Sequence, residues 1–222
     1  MKKFKVFCVI GKSGSGKGTQ VELMKKKLGK THHIVNGDLF RAFIKSGLPF
    51  AKRIGEIVNS GGLPPAWFSA YLWQGELIKF NNPKVKTAIF EGTPRRVWEA
   101  ELLDDVSEFM FSSKPIAIYL NISDKEAKKR LLKRLICKKC KQPVPYKLID
   151  KNPQKCSFCG GPVIKRKDDD EDSIRKRLSW YRTDVLEAIK YYKKQNRLIH
   201  VNGEQDVSDV FSELWRKLKR KI

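Results

Sequence analysis

Apolar residues fall along the chain in two alternating patterns. Short runs rich in Val, Ile, Leu and Phe predict β-strands at Lys5–Ile10, His33–Val35, Thr87–Glu91, Ile116–Asn121 and Leu198–Val201. Between them, segments with apolar positions at three- and four-residue intervals predict helices. These are Gly18–Leu28, Asp38–Lys45, Ala51–Asn59, Ala66–Lys79, Trp98–Phe111, Ser123–Ile136, Asp172–Lys194 and Val207–Lys221. Ser123-x-x-Glu126 has the form of a capping box at the start of the sixth. Five apolar strands separated by helices imply an α/β fold, with a five-stranded parallel sheet flanked by helices on both faces. Ligands of such sheets bind beyond the carboxyl ends of the strands, where Gly11 and Glu91 fall.

Two segments break the alternation. Residues 35–64 are helical and stop at Gly61-Gly62-Leu63-Pro64-Pro65. Residues 133–169 carry four cysteines and four prolines but few large apolar side chains. Neither is rich enough in apolar surface to build the central core. Both are therefore expected as lobes inserted into a core of residues 1–34, 65–132 and 170–222.

The stretch Gly11-Lys12-Ser13-Gly14-Ser15-Gly16-Lys17-Gly18-Thr19-Gln20 directly follows the first strand. Its glycines let backbone N–H groups turn inward around phosphate oxygens, and the helix after it offers its N-terminal dipole to the same anion. Lys17 can place a point charge on the terminal phosphates, and the Thr19 hydroxyl can reach a bound magnesium ion. Gly18 stands where the general phosphate-loop rule has Ser or Thr. Glu91 ends a strand opposite this loop, a place from which a carboxylate can hold the hydration shell of magnesium. Arg95, four residues on, can form a fork onto a phosphate.

Composition sharpens the picture in two places. The chain of 222 residues is 41% hydrophobic and 32% charged, with a net charge of +23. Such a balance points to anionic ligands without choosing among nucleotides, nucleic acid and acidic surfaces. Between Lys125 and Lys167 fifteen Lys and Arg stand against two acidic residues, so more than half of the excess lies there. The same stretch holds Cys137-x-x-Cys140 and Cys156-x-x-Cys159. In a cytoplasmic setting this spacing reads as a closed tetrahedral zinc site, structural rather than catalytic. A zinc ribbon that binds nucleic acid is the competing reading, thinly supported by Tyr146 and Phe158 as the stretch's aromatics. Neither an apolar run of the ~18 residues that cross a bilayer nor a signal-peptide cleavage pattern is present, so the expected location is the cytoplasm.

The form G-x-x-G-x-G-K-G-T-Q resembles the phosphate loop of the adenylate kinase family, which usually has Pro where Ser13 stands. Glu91-Gly92-Thr93-Pro94-Arg95 resembles that family's D-G-F-P-R, and Asn36-Gly37-Asp38-Leu39-Phe40-Arg41 its T-G-D-x-L-R. Arg166-Lys167-Asp168-Asp169 resembles its R-x-D-D, and the paired cysteines match the lid of many bacterial members.

The resemblance runs from Val6 to about Val207 and implies a P-loop kinase with an inserted acceptor-binding lobe, residues 35–64, and a zinc-bearing lid, residues 133–169. It implies reversible transfer of the γ-phosphoryl group of Mg·ATP to a nucleoside monophosphate, AMP first and GMP or CMP as alternatives. Lys17, Arg95, Arg130, Arg166 and Arg177 would be catalytic. Gly14, Ser15, Gly16, Lys17, Gly18, Thr19, Arg130, Arg134 and Gln205 would hold ATP. Asn36, Arg41, Gly92, Arg95, Glu99, Arg166 and Arg177 would hold the acceptor. Thr19 and Glu91 would serve magnesium indirectly, and Cys137, Cys140, Cys156 and Cys159 would ligate structural zinc. Glu99 stands where the family usually has Gln. As an acceptor of hydrogen bonds it would suit the N1–H and N2–H of guanine or an exocyclic amine. We expect a monomer, nucleic acid bound only non-specifically, and no general base, because phosphoryl transfer is governed by alignment and charge neutralisation.

Overall fold

The computed structural model describes residues 4–140, 143, 144, 149, 153–166 and 168–221; Tyr146 and Lys167 lie outside them. The strands of the main sheet are β1 (Lys5–Ile10), β2 (His32–Val35), β3 (Thr87–Glu91), β4 (Ile116–Asn121) and β7 (Leu198–Asn202). They lie in the order β2-β3-β1-β4-β7 and all four pairings are parallel. The helices are α1 (Lys17–Leu28), α2 (Asn36–Lys45), α3 (Ala51–Asn59), α4 (Ala66–Ile78), α5 (Val97–Phe111), α6 (Asp124–Lys133), α7 (Glu171–Trp180), α8 (Leu186–Lys194) and α9 (Val207–Lys219).

Successive side chains of a strand point to opposite faces, and the core divides accordingly. Val6, Cys8, Ile10 and Phe90 pack against Trp73 and Leu77 of α4, Leu103 of α5 and Tyr192 of α8. Phe7, Val9, Ile89, Ile118 and Leu120 pack against Val21 and Met24 of α1 and Val210, Leu214 and Leu218 of α9. Both faces are dry, which is why these strands read as apolar throughout rather than alternating. Residues 35–64 form a separate small cluster, in which Phe40 and Ile54 meet Phe68 of α4. Among the described residues no helix is long and apolar enough to cross a membrane.

Two sequence expectations need correction. The helix expected over Ser123–Ile136 ends at Lys133, with Arg134 already extended. Leu135–Cys137 instead form β5, antiparallel to β6 (Val163–Lys165), a pairing across a distance in sequence that helical periodicity does not reveal. At its start, Ser123 Oγ accepts from the Glu126 N–H at 3.2 Å, as the capping-box pattern predicts. The helix expected over Asp172–Lys194 starts one residue earlier and is interrupted by a π-helical turn, Tyr181–Val185. That turn brings Tyr181 against Tyr119 (O···O 2.7 Å) and Asp184 against Arg96 (2.7 Å).

Candidate active site

The phosphate loop crosses the carboxyl end of β1. Gly11 is required by space, since a Cβ there would sit 2.5 Å from the Leu120 carbonyl oxygen. Gly16 is required by conformation, with φ 86° at the residue that opens α1. Lys17, Gly18 and Thr19 then form the first helical turn, whose N–H groups have no intrahelical partner and are open to an anion. Ser15 is buried with its Oγ unpartnered, and Thr19 lies exposed in the same turn.

Lys17 folds back so that Nζ donates to the carbonyls of Gly11 (2.9 Å) and Lys12 (2.8 Å). Desolvation pushes its pKa down to about 8, against the pull of Glu91, and Arg95, Arg134 and Arg177 add repulsion. These charges thus share one cleft. Glu91 lies against the first turn of α1: a Cβ at Gly18 would be 3.3 Å from its Oε1. Glycine at this position leaves room for the carboxylate where other phosphate loops place a hydroxyl. His33 Nε2 lies 3.1 Å from Glu91 Oε2 and ties the carboxylate to β2, a partner the motif reading missed. A carboxylate against the helical turn that carries the Thr19 hydroxyl fits magnesium, which binds few protein oxygens and retains much of its water shell.

The arginines divide into two groups. Arg134 forks onto Asp169 with two 2.7 Å bonds. Arg177 reaches Asp169 at 2.9 Å and Asp168 at 2.5 Å, and Arg166 forks onto Asp168 at 2.5 and 2.8 Å. Desolvation works to raise the Asp168 carboxyl, yet the Arg166 hydrogen bond, with Arg177 and Arg134 behind it, holds it down at about 2. Three guanidinium groups are thus poised on two carboxylates. Arg130 instead pairs with Glu126 on its own helix at 2.7 Å, and Arg41 pairs with Asp38 at 2.5 Å near the surface. Gln205 donates to Asn202 O and Glu213 in the exposed turn after β7.

Arg95 follows β3. Its Nε donates to the Gly92 carbonyl at 2.9 Å, and its guanidinium lies over the rings of Trp180 (5.4 Å) and Phe40 (5.8 Å). Desolvation lowers it to about 10 against the attraction of Glu99, with Arg177, Arg96 and Arg41 adding repulsion. Asn36 and Glu99 are buried and joined through Ser69 of α4. Ser69 was invisible to motif reading, its one signal being a small polar residue among the apolar side chains that open α4.

The four cysteines converge at the end of β5. Their Sγ atoms all lie within 4.8 Å of one another, with Cys137–Cys159 at 3.5 Å and Cys140–Cys156 at 3.7 Å. Tetrahedral zinc thiolates with Zn–S near ~2.3 Å need sulfurs about 3.8 Å apart, so the set fits zinc. Gly161 leaves the space they occupy: a Cβ there would be 3.1 Å from Cys137 Sγ. Desolvation opposes ionisation of Cys137, but amide N–H groups of Cys140 and Lys139 and the neighbouring thiols draw its pKa down to about 6.

The family model described as adenylate kinase matches residues 9–197. An adenylate kinase of Thermosipho melanesiensis is 34% identical over 215 residues, covering 95% of this chain and 98% of the relative. One of Thermodesulfovibrio yellowstonii is 34% identical over 213 residues (96% and 98%), and one of a Geobacillus species 32% over 209 (93% and 94%). A match that runs nearly end to end, through the phosphate loop and the Arg134–Asp169 network alike, places the chain in the adenylate kinase family of ATP-dependent nucleoside monophosphate kinases.

Proposed function

We propose that the enzyme transfers the γ-phosphoryl group of Mg·ATP to AMP, reversibly, giving two ADP. The observation that carries this reading is the shared cleft of Lys17, Arg95, Arg134, Arg177 and Glu91, on a chain similar over 95% of its length to an adenylate kinase. The N–H groups of the loop from Gly14 through Thr19 cradle the donor's phosphates, and Lys17 leaves its carbonyl partners for the terminal ones. Arg130 and Arg134 flank the donor, and Gln205 closes its far side. Arg95 and Arg41 hold the acceptor phosphate beside Gly92 and Asn36. Arg166 and Arg177 neutralise charge on the group in transit, and Asp168 and Asp169 keep the arginines extended until phosphate replaces them.

Residues 35–64 act as the acceptor lobe and 133–169 as the lid that excludes water from the donor. Glu91, steadied by His33, and Thr19 face the magnesium position, where the ion supplies charge neutralisation at the donor phosphates. Zinc on Cys137, Cys140, Cys156 and Cys159 supplies the lid with a staple.

Turnover with Mg·ATP and each of AMP, GMP, CMP and UMP tests the acceptor. AMP is expected to exceed the others in kcat/KM by at least ~10-fold, the equivalent of one well-placed hydrogen bond. A higher kcat/KM for GMP or CMP overturns the assignment of AMP.

A further inference from the structure

Glu99 occupies the first turn of α5 and is 1% exposed. A residue that reads an incoming base needs a polar edge open to the cleft. Both Glu99 oxygens are instead engaged by the protein. Ser69 O–H donates to Oε1 at 2.5 Å, and the Arg95 backbone N–H donates to Oε2 at 2.6 Å. Ser69 Oγ in turn accepts the Asn36 Nδ2–H at 2.8 Å. Four parts of the fold are tied by this chain: the start of α2, the first turn of α4, the start of α5 and the loop after β3.

The second bond is the informative one. It ends on the backbone of Arg95, whose guanidinium is held more loosely, by one carbonyl and by two aromatic faces at 5.4 and 5.8 Å. The direction in which that side chain leaves the loop is therefore set by its backbone, and the backbone by Glu99. With Asn36 donating into Ser69, the Ser69 hydrogen points at Glu99, so both neighbours of the carboxyl are donors. A group with two acceptor oxygens satisfies both at once, whereas an amide offers one acceptor and one donor. Leaving the Arg95 N–H unpaired in a buried loop would cost the loop its fixed geometry.

We propose that Glu99 is a positioning residue that holds the Arg95 backbone so that its guanidinium meets the acceptor's phosphate, and that its carboxyl does not read the acceptor's base. The proposal rests on the reading of Arg95 as the acceptor-phosphate residue. It makes Glu99 act on any phosphomonoester that enters the acceptor site, whatever base it carries.

Ribose 5-phosphate, an acceptor without a base, separates the two roles when used as a competitive inhibitor against AMP. Glu99→Ala is expected to lower kcat/KM for AMP on the order of 100-fold, the scale of a misplacement near 1 Å. It should raise the inhibition constant of ribose 5-phosphate by the same factor as it raises the dissociation constant of AMP. KM for ATP stays within about twofold, since the donor side is untouched. Glu99→Gln, which keeps one acceptor oxygen, restores a common part of both losses, and Ser69→Ala reproduces a fraction of them in a protein with Glu99 intact. Loss of AMP binding with ribose 5-phosphate unaffected overturns the proposal in favour of base reading. Arg95→Ala serves as the control. If it leaves ribose 5-phosphate inhibition unchanged, the phosphate role of Arg95 falls and the proposal with it; if it abolishes inhibition while Glu99 variants do not, the proposal alone falls.

Discussion

Lys17→Ala is expected to lower kcat by about two to three orders of magnitude, the usual loss when one preorganised charge facing a transition state is removed. It should not lower the melting temperature. Burial of Lys17 is unfavourable to its charged form, and its ammonium is hydrogen-bonded to two carbonyls in the absence of phosphate. Alanine removes that cost along with the function. The pH dependence follows with a definite sign. Because the folded pKa of about 8 lies below the ordinary 10.5, the charged lysine weighs against the fold below pH 8. That cost fades as pH rises from about 8 toward 10.5. Stability should therefore gain in that window relative to Lys17→Ala, which lacks the effect. Activity moves the other way: kcat/KM for ATP reports the free enzyme and should fall above pH 8. The kcat profile should hold to higher pH, because bound phosphate returns the lysine toward its ordinary range. A Lys17→Ala enzyme with undiminished kcat would remove the phosphate loop from the mechanism.

Removal of metal should produce the second large effect. Protein purified without chelator is expected to contain one zinc per chain, and Cys137→Ser or Cys156→Ser to lose it. β5 and β6 are three residues each, too short to persist as an isolated two-stranded sheet, and none of the described residues between 133 and 166 belongs to either main core cluster. Structural zinc binding supplies on the order of 10 kcal/mol in small domains, more than the remaining contacts of such a segment provide. Arg134 and Arg166 stand at its two ends, so its loosening also withdraws two guanidinium groups from Asp168 and Asp169. Activity should fall while the unfolding of the main sheet stays near its original temperature, two transitions replacing one in calorimetry. Metal-free protein with full activity and a single unchanged transition would refute the staple.

Much of this was legible in the chain because the physics concerned is local. The strands β1, β3 and β4 are apolar runs with a polar residue at one end or both, and each boundary matches the pattern to the residue. The phosphate loop is a contiguous string whose glycines answer to local needs, space at Gly11 and Gly18 and a left-handed backbone at Gly16. The cysteine pairs announce their convergence by spacing. What stayed hidden depends on pairing across the fold. Leu135–Ile136 continues a helical pattern and turns into a strand because Val163–Lys165 comes back beside it. Five π-helical residues inside a long helical run carry no periodic mark. The departures from the family's motifs were visible as letters but not as contacts. Glu91 replaces a shorter acid and is met by His33, while Glu99 replaces an amide and turns inward to Ser69 and Arg95.

The cationic excess becomes partly intelligible in the same way. Arg134, Arg166 and Arg177 are gathered on two carboxylates that leave one net positive charge, with Lys17 and Arg95 nearby. That surplus of positive charge is what the proposed transfer between two phosphate-bearing substrates requires. The remainder of the +23 is spread over lysines and arginines elsewhere on the chain, and nothing in the cleft accounts for it.

The most direct measurement follows the label of γ-phosphate-labelled ATP in the presence of magnesium and a nucleoside monophosphate. Transfer predicts that the label appears in the β-position of the acceptor's diphosphate at the rate of ADP formation, with little inorganic phosphate. Label released as inorganic phosphate, at a rate indifferent to the monophosphate, would contradict it and make the cleft a hydrolase.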